Sequence, residues 1–173
     1  HVLITNGSAE ANFLCTMTLL EPGDELIYMV PNYLQIGTLA SSIGVGVKEI
    51  QLRPELNWQM DLDELNSLVT PKTKMIAVCT PNNPTGAIMS RESMAEVRRM
   101  ADEHDLYLLS DEVYRGAELS GMESPTVYSG RKKDIVNSGL SKAYRLPGLR
   151  LGWSVTDPDT IWELWKLHDY TTI

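Results

Sequence analysis

A surplus of basic residues is missing from this chain: 15 Lys and Arg stand against 23 Asp and Glu, a formal net charge of -8 over 173 residues. Binding a phosphate backbone depends on clustered Lys and Arg that release counterions, so no nucleic-acid partner is expected. Also missing is any uncharged apolar run near the roughly 18 residues needed to cross a bilayer, and no signal-peptide pattern opens the sequence. No membrane partner is expected, and a cytoplasmic protein is the simplest reading. Cysteine is scarce, with Cys15 and Cys79 far apart in apolar stretches. Reduced, buried thiols fit that better than a bridge or a metal pair, so no metal site is expected. What is plentiful is apolar side chain, 43% of residues, enough to fill the core of one ordinary domain. The chain opens at His1 in a strand already under way, and it closes on Trp162, Trp165 and Leu167 at helical spacing with nothing to pack on. Both ends suggest a fragment of a longer protein.

Turn residues divide the chain into alternating strands and helices. Gly7 and Ser8 precede a helix-compatible run over 9–20, which Glu21-Pro22-Gly23-Asp24 stops. A buried strand is expected over 25–30, a helix over 34–42, a strand over 45–52, a short helix over 61–69 and a strand over 73–79. The two prolines of Thr80-Pro81-Asn82-Asn83-Pro84-Thr85-Gly86 remove ladder donors and force a loop at that strand's end. Ser90 is expected to cap a helix with Met94, Val97, Ala101 and His104 on one face. A buried strand over 106–110 leads directly into Asp111. Further strands are expected over 134–138 and 151–156, and Pro158 opens a last helix. Strands such as Met75-Ile76-Ala77-Val78 are continuously apolar, as a sheet covered on both faces requires. The expected fold is therefore α/β, a mostly parallel sheet with helices on both faces in three layers. Ligands of such sheets collect outside the carboxyl ends of the strands, in the loops just named.

Those loops carry the reactive residue types. Ser141-Lys142-Ala143-Tyr144 follows a strand, and Arg150 comes eight positions after the lysine (150 − 142) within Leu-Pro-Gly-Leu-Arg-Leu-Gly-Trp. With an ordinary pKa of about 10.4, a lysine is uncharged in roughly one molecule in a few thousand at neutral pH, so as a nucleophile it needs help. A Schiff base with an aldehyde cofactor supplies it; a solvated surface lysine is the ordinary alternative for any single Lys. Asn82-Asn83-Pro84-Thr85-Gly86, Asp111-Glu112-Val113-Tyr114 and Ser141-Lys142 with Arg150 occur in this order. Together they resemble the fold-type I pyridoxal-phosphate (PLP) aminotransferases, the aspartate aminotransferase family of class I/II. The likeness extends to Gly7-Ser8-Ala9-Glu10-Ala11 and to the Glu-Pro-Gly-Asp turn followed by Pro31-Asn32-Tyr33, and so covers nearly the whole chain.

The resemblance implies that residues 1–173 are most of a PLP-binding large domain, without the N-terminal arm and C-terminal small domain. It implies an enzyme that moves an amino group from an amino acid to a 2-oxo acid through a Lys142 Schiff base, with Asp111 and Tyr114 also catalytic. Asp111 would pair with the pyridine nitrogen. At about 4 Å and an effective dielectric of about 20 that pair is worth about 4 kcal/mol, which raises the pyridine pKa by about three units. The protonated ring then accepts the substrate's electrons. Asn83 and Tyr114 would hydrogen-bond the phenolic oxygen, and Tyr33 would stack on the ring. Arg150 and the backbone of Gly7, Ser8 and Ala9 would hold the phosphate. Pro31 and Pro84 would follow cis bonds. Outside this company, the same residues make ordinary caps, turns and half-buried tyrosines.

Two positions depart from the family. Gly139 stands three residues before the lysine, where a hydroxyl residue is common, leaving that role to Ser138 or Ser141. Tyr144-Arg145 replaces the usual Tyr-Gly and adds a charge near the site. The implied partners are amino acid and 2-oxo acid substrates and a second copy of the chain, in a homodimer with the site at its interface. β-Elimination, C–S cleavage and aminocyclopropane-carboxylate synthesis use the same residues and remain open, as does a non-catalytic regulatory domain of this fold. Substrate choice belongs to regions outside the chain.

Overall fold

Strands too continuously apolar to face water on either side end up inside a sheet. The computed structural model describes residues 1–171, and among them seven strands form one sheet. They are β1 (Val2–Asn6), β2 (Glu25–Val30), β3 (Gly46–Gln51), β4 (Thr73–Cys79), β5 (Tyr107–Asp111), β6 (Asp134–Gly139) and β7 (Leu151–Val155). Their order across the sheet is β1-β7-β6-β5-β4-β2-β3. β6, β5, β4, β2 and β3 run parallel, whereas β7 is antiparallel to both neighbours, β1 and β6. Around the sheet lie α1 (Gly7–Leu19), α2 (Gln35–Ser42), α3 (Leu62–Leu68), α4 (Arg91–Glu103) and α5 (Pro158–His168). This is the expected α/β architecture with a mostly parallel sheet.

Strand alternation divides the core in two. On one face Leu14, Cys15 and Leu19 of α1, Ile36 and Ala40 of α2 and Leu164 of α5 pack against Leu26, Met75, Ala77, Leu109 and Ile135. On the other, Leu65 of α3 and Met94, Val97, Met100 and Ala101 of α4 pack against Ile27, Ile50, Ile76, Val78 and Leu108. Each fully buried Leu or Ile contributes about 1.5–3 kcal/mol, so both layers add substantially to stability.

Three local expectations are corrected. α1 begins at Gly7 itself, because a φ of +78 there turns β1 straight into the helix. His104 does not share the buried face of α4; it follows the last helical residue, is exposed, and Met100 occupies that face instead. On α5, Trp162 and Trp165 are exposed with no cover, as expected, whereas Leu167, expected to be without a packing partner like them, packs with Leu164 and Ile161. The cap at Ser90 is as expected, its hydroxyl accepting from Ser93 N–H at 3.0 Å. The bonds before Pro31 and Pro84 are cis as expected, and so is the one before Pro81.

The topology sends the carboxyl ends of β1, β2, β4, β5 and β6 to one edge, and antiparallel β7 starts there. Two backbones meet at that edge: a Cβ on Gly152 of β7 would lie 2.3 Å from the carbonyl carbon of Gly7 and 2.4 Å from Ser8 N. Only glycine permits this approach. Gly152→Ala is expected to lower stability by at least about 2 kcal/mol, since the two segments must part. Equilibrium urea unfolding measures this, and a loss below about 0.5 kcal/mol would show the contact to be slack.

Candidate active site

The loops at this edge enclose a cavity of about 300 Å³, the size of a small-molecule site. Ser8, Ala9, Tyr33, Asn83, Asp111, Tyr114, Ser141, Lys142 and Arg150 all line it. They arrive from α1, from the last residue of β5, from the segments after β2, β4, β5 and β6, and from the residue before β7. Among the described residues no group of three or more His, Cys, Asp or Glu could hold a metal.

The floor is Asp111, the last residue of β5, which is buried. Its Oδ2 accepts from Asn12 Nδ2 at 2.8 Å and its Oδ1 from Val113 N–H at 3.1 Å. Burial pushes the carboxyl above its ordinary value, and these two hydrogen bonds pull it partly back. Neither donor is charged. A desolvated carboxylate met only by neutral donors, facing a cavity, is a site for a cationic N–H of a ligand. Beside it Cys79 is pushed up to about 12, by burial first and then by the Asp111 charge. That thiol is neutral wall, not a nucleophile.

The opposite end suits an anion. Ser8 and Ala9 lie in the first turn of α1, where backbone N–H groups have no intrahelical acceptor and the helix dipole is positive. Arg150, itself left-handed at φ 52, folds its guanidinium over this turn. A Cβ on Gly7 would lie 2.6 Å from Arg150 Nη2, so Gly7 is what admits the guanidinium. Arg150 Nη1 donates to the Pro147 carbonyl at 2.9 Å and to Ser141 Oγ at 3.3 Å, which steadies it. Backbone N–H groups, a hydroxyl and a guanidinium thus gather as a phosphate requires.

Between the two ends stand the remaining groups. Lys142 is exposed at the rim, its Nζ 5.7 Å from the Tyr114 ring centroid. Tyr33 is also exposed, and its carbonyl accepts from the Tyr28 hydroxyl, which ties its loop to β2. Asn82 joins the two proline loops: its Nδ2 donates to the Pro31 carbonyl at 3.3 Å, and its Oδ1 accepts from Thr85 Oγ1 at 2.7 Å. Asn83 is held at the cavity wall by that frame. The residue set therefore fits PLP, with a cradle for its phosphate, a carboxylate for its ring nitrogen and an amine for its aldehyde.

Of the two serines proposed to make up for Gly139, only Ser141 reaches the cavity. Ser138 does not; its hydroxyl donates to the Glu112 carbonyl at 3.2 Å, and it lines a separate cleft with Arg115 and Trp153. Strand alternation is the reason, since Asn137 faces α1 and its neighbour must face away. Gly139 has no room for any side chain, as a Cβ would lie 2.9 Å from the Leu151 carbonyl oxygen. Arg145 is exposed and outside the cavity lining. Asn12, Gln35 and Cys79 line the cavity without having been expected there. For Asn12 a signal existed, because it is a polar residue in the otherwise apolar run Ala11, Phe13, Leu14, Cys15.

A family model described as aminotransferase class I and II matches residues 1–169. The chain is 34% identical over 154 residues to tyrosine aminotransferase of Bos taurus, an alignment covering 88% of this chain and 34% of that protein. It is 34% identical over 174 residues to capreomycidine synthase of Streptomyces vinaceus, covering 99% of this chain and 44% of the relative. A solved PLP-dependent aminotransferase from Streptococcus suis superposes with a TM-score of 0.92 at 39% identity, over 99% of this chain and 45% of that one. The chain thus spans less than half the length of each of these three relatives. Family match and fold agree, and the chain belongs to the class I and II aminotransferases, enzymes that work with pyridoxal phosphate.

Proposed function

We propose that this chain is the greater part of the PLP-binding large domain of an aminotransferase, with the N-terminal arm and C-terminal small domain lying outside it. The reaction is transfer of an amino group from an amino acid to a 2-oxo acid. One observation carries this reading: a buried carboxylate met only by neutral donors, an anion cradle and a lysine share one cavity. When bound, PLP supplies an aldehyde that takes up amines and a pyridinium ring that accepts electrons from a breaking bond at Cα.

The chain's own residues do the rest. Asp111 holds the pyridine nitrogen protonated, while Ser8, Ala9, Ser141 and Arg150, with Gly7 giving them room, grip the phosphate. Asn83 and Tyr114 donate to the phenolic oxygen, and Tyr33 covers one face of the ring. Lys142 Nζ holds the cofactor covalently at rest. The same amine would carry a proton between the substrate Cα and the cofactor's C4′. A cytoplasmic homodimer completes the reading. The exposure of Lys142 and Tyr33 in the single chain supports a cover supplied by the missing small domain and a second subunit.

A second reading, cyclisation or elimination on the same cofactor, is kept open because a relative as similar as the aminotransferases is named a synthase, capreomycidine synthase. The two differ in what one substrate alone does: transamination accumulates pyridoxamine phosphate from an amino donor without any acceptor, and cyclisation does not.

In the full-length protein Lys142→Ala is expected to abolish transamination and the absorbance of the lysine-bound cofactor; turnover at the parent rate would refute the assignment. Asp111 gives a prediction in pH as well. Its carboxyl titrates higher in the folded than in the unfolded chain, so the folded state binds the proton more readily, and stability falls as pH rises through the interval between the two values. Above that interval the ionised group costs the cofactor-free protein stability. Asp111→Asn is therefore expected to remove this fall in melting temperature as pH rises above the ordinary carboxylate range, while lowering kcat/KM by roughly a thousandfold. An unchanged pH profile of stability together with parent turnover would contradict both halves.

A further inference from the structure

We propose that Asn12 is a positioning residue for Asp111, held as a one-way donor by a buried relay that runs back through Asn137 to Ser154. This deepens the reading of Asp111 as the partner of the pyridine nitrogen and rests on it. Three side chains from three elements form the relay. Ser154 Oγ of β7 donates to Asn137 Oδ1 of β6 at 2.6 Å. Asn137 Nδ2 donates to Asn12 Oδ1 of α1 at 2.9 Å, and Asn12 Nδ2 donates to Asp111 Oδ2 at 2.8 Å. All three are buried, at 1% exposure for Asn12 and 0% for Asn137 and Ser154.

The direction of this chain follows from chemistry. An ionised carboxylate only accepts, so Asn12 must turn its amide nitrogen to Asp111 and its oxygen to Asn137. Asn137 must then present its own nitrogen to Asn12, which leaves its oxygen for a donor, and the Ser154 hydroxyl is that donor. Each dipole points its positive end toward Asp111, and hydrogen bonds in line polarise one another. Turned over, the Asn12 amide would set a carbonyl against a carboxylate and leave both amides mispaired in the core. The relay thus fixes a side chain whose two orientations would otherwise compete, and it favours the ionised form of Asp111 without adding a charge.

The other ionisable groups around Asp111 do not duplicate this. Cys79 of β4 and Tyr28 of β2 have their acid forms favoured by burial, and Cys15 of α1, whose Sγ lies 3.8 Å from Asn137 Oδ1, is likewise neutral, pushed up to about 11 by burial. Tyr33, Tyr114, Lys142 and Arg150 face the same cavity from the loops, and the cations among them, Lys142 and Arg150, are placed for the aldehyde and the phosphate.

The test uses the full-length protein. The Asp111 carboxyl is titrated in the cofactor-free form by carbon-13 NMR, its signal assigned by its loss in Asp111→Asn, and the kcat/KM pH profile is recorded for the loaded enzyme. Asn12→Leu, similar in volume but without a donor, is expected to raise the Asp111 titration by about one unit, a tenfold change in proton affinity, with a fall in kcat/KM of about the same factor. Ser154→Ala, which releases the far end, is expected to raise proton affinity by about threefold. Thr16→Val is the control: it removes a buried bond from Thr16 Oγ1 to the Asn12 backbone carbonyl, 2.8 Å long and outside the relay, and is expected to leave the titration in place. An unmoved titration in Asn12→Leu, or an equal shift in Thr16→Val, overturns the proposal. Should Asn12→Leu fail to fold, Ser154→Ala decides, with a threefold shift in favour and none against. Parent turnover in Asp111→Asn would overturn the reading of Asp111 itself. Lost turnover there with an unmoved titration in Asn12→Leu would overturn the relay alone.

Discussion

A carboxylate taken out of water costs several kcal/mol unless hydrogen bonds or an opposite charge replace its hydration. Asp111 is in that position at the carboxyl end of β5, and the donors the chain turns to it are a side-chain amide and a backbone N–H. Burial still holds its pKa above the ordinary carboxylate value. The folded chain therefore carries an electrostatic debt at the floor of its cavity, and a cation arriving there gains the interaction that the protein itself leaves unmade. Binding sites of this kind trade stability for function, and the surrounding apolar layers make the trade tolerable. Leu109 on the same strand and Ile135 on the next are fully buried and hold β5 in place.

α1 connects the two ends of the cavity. Ser8 and Asn12 are one helical turn apart, about 6 Å along the axis, and so project from the same face. The first turn offers its N–H groups to an anion, and the next turn offers an amide to Asp111. Where α1 starts is fixed by Gly7, which takes a left-handed φ and leaves room for the Arg150 guanidinium. Gly152 then lets β7 touch that turn backbone to backbone. A small shift of α1 would disturb the proposed phosphate cradle and the proposed ring partner together, which is why glycines far apart in sequence are needed at one point in space.

Much of this was readable from the residues. Continuous apolar runs marked β4 and β5, and the prolines after β4 marked the loop that bears Asn83. Asp111, Lys142 and Arg150 stood out because reactive residue types in loops at strand ends are few and their order is specific. What stayed hidden depends on distance in sequence. Asn12 is bonded to Asp111 across 99 positions, and a polar residue in an apolar helix announces a buried partner without naming it. The direction of Ser138 required knowing that Asn137 faces α1. The absence of space at Gly139 required knowing that β7 returns antiparallel beside β6. The misplacement of His104 came from extending helical periodicity one residue past the helix's end.

Lys142 is the residue proposed to hold PLP covalently in this cavity. Borohydride reduction of the full-length protein with bound PLP, followed by peptide mapping by mass spectrometry, tests that directly. The reduced phosphopyridoxyl mass is expected on the peptide containing Lys142 and is expected to be lost in Lys142→Ala. Label spread over surface lysines such as Lys132 and Lys133, with none on Lys142, would contradict it.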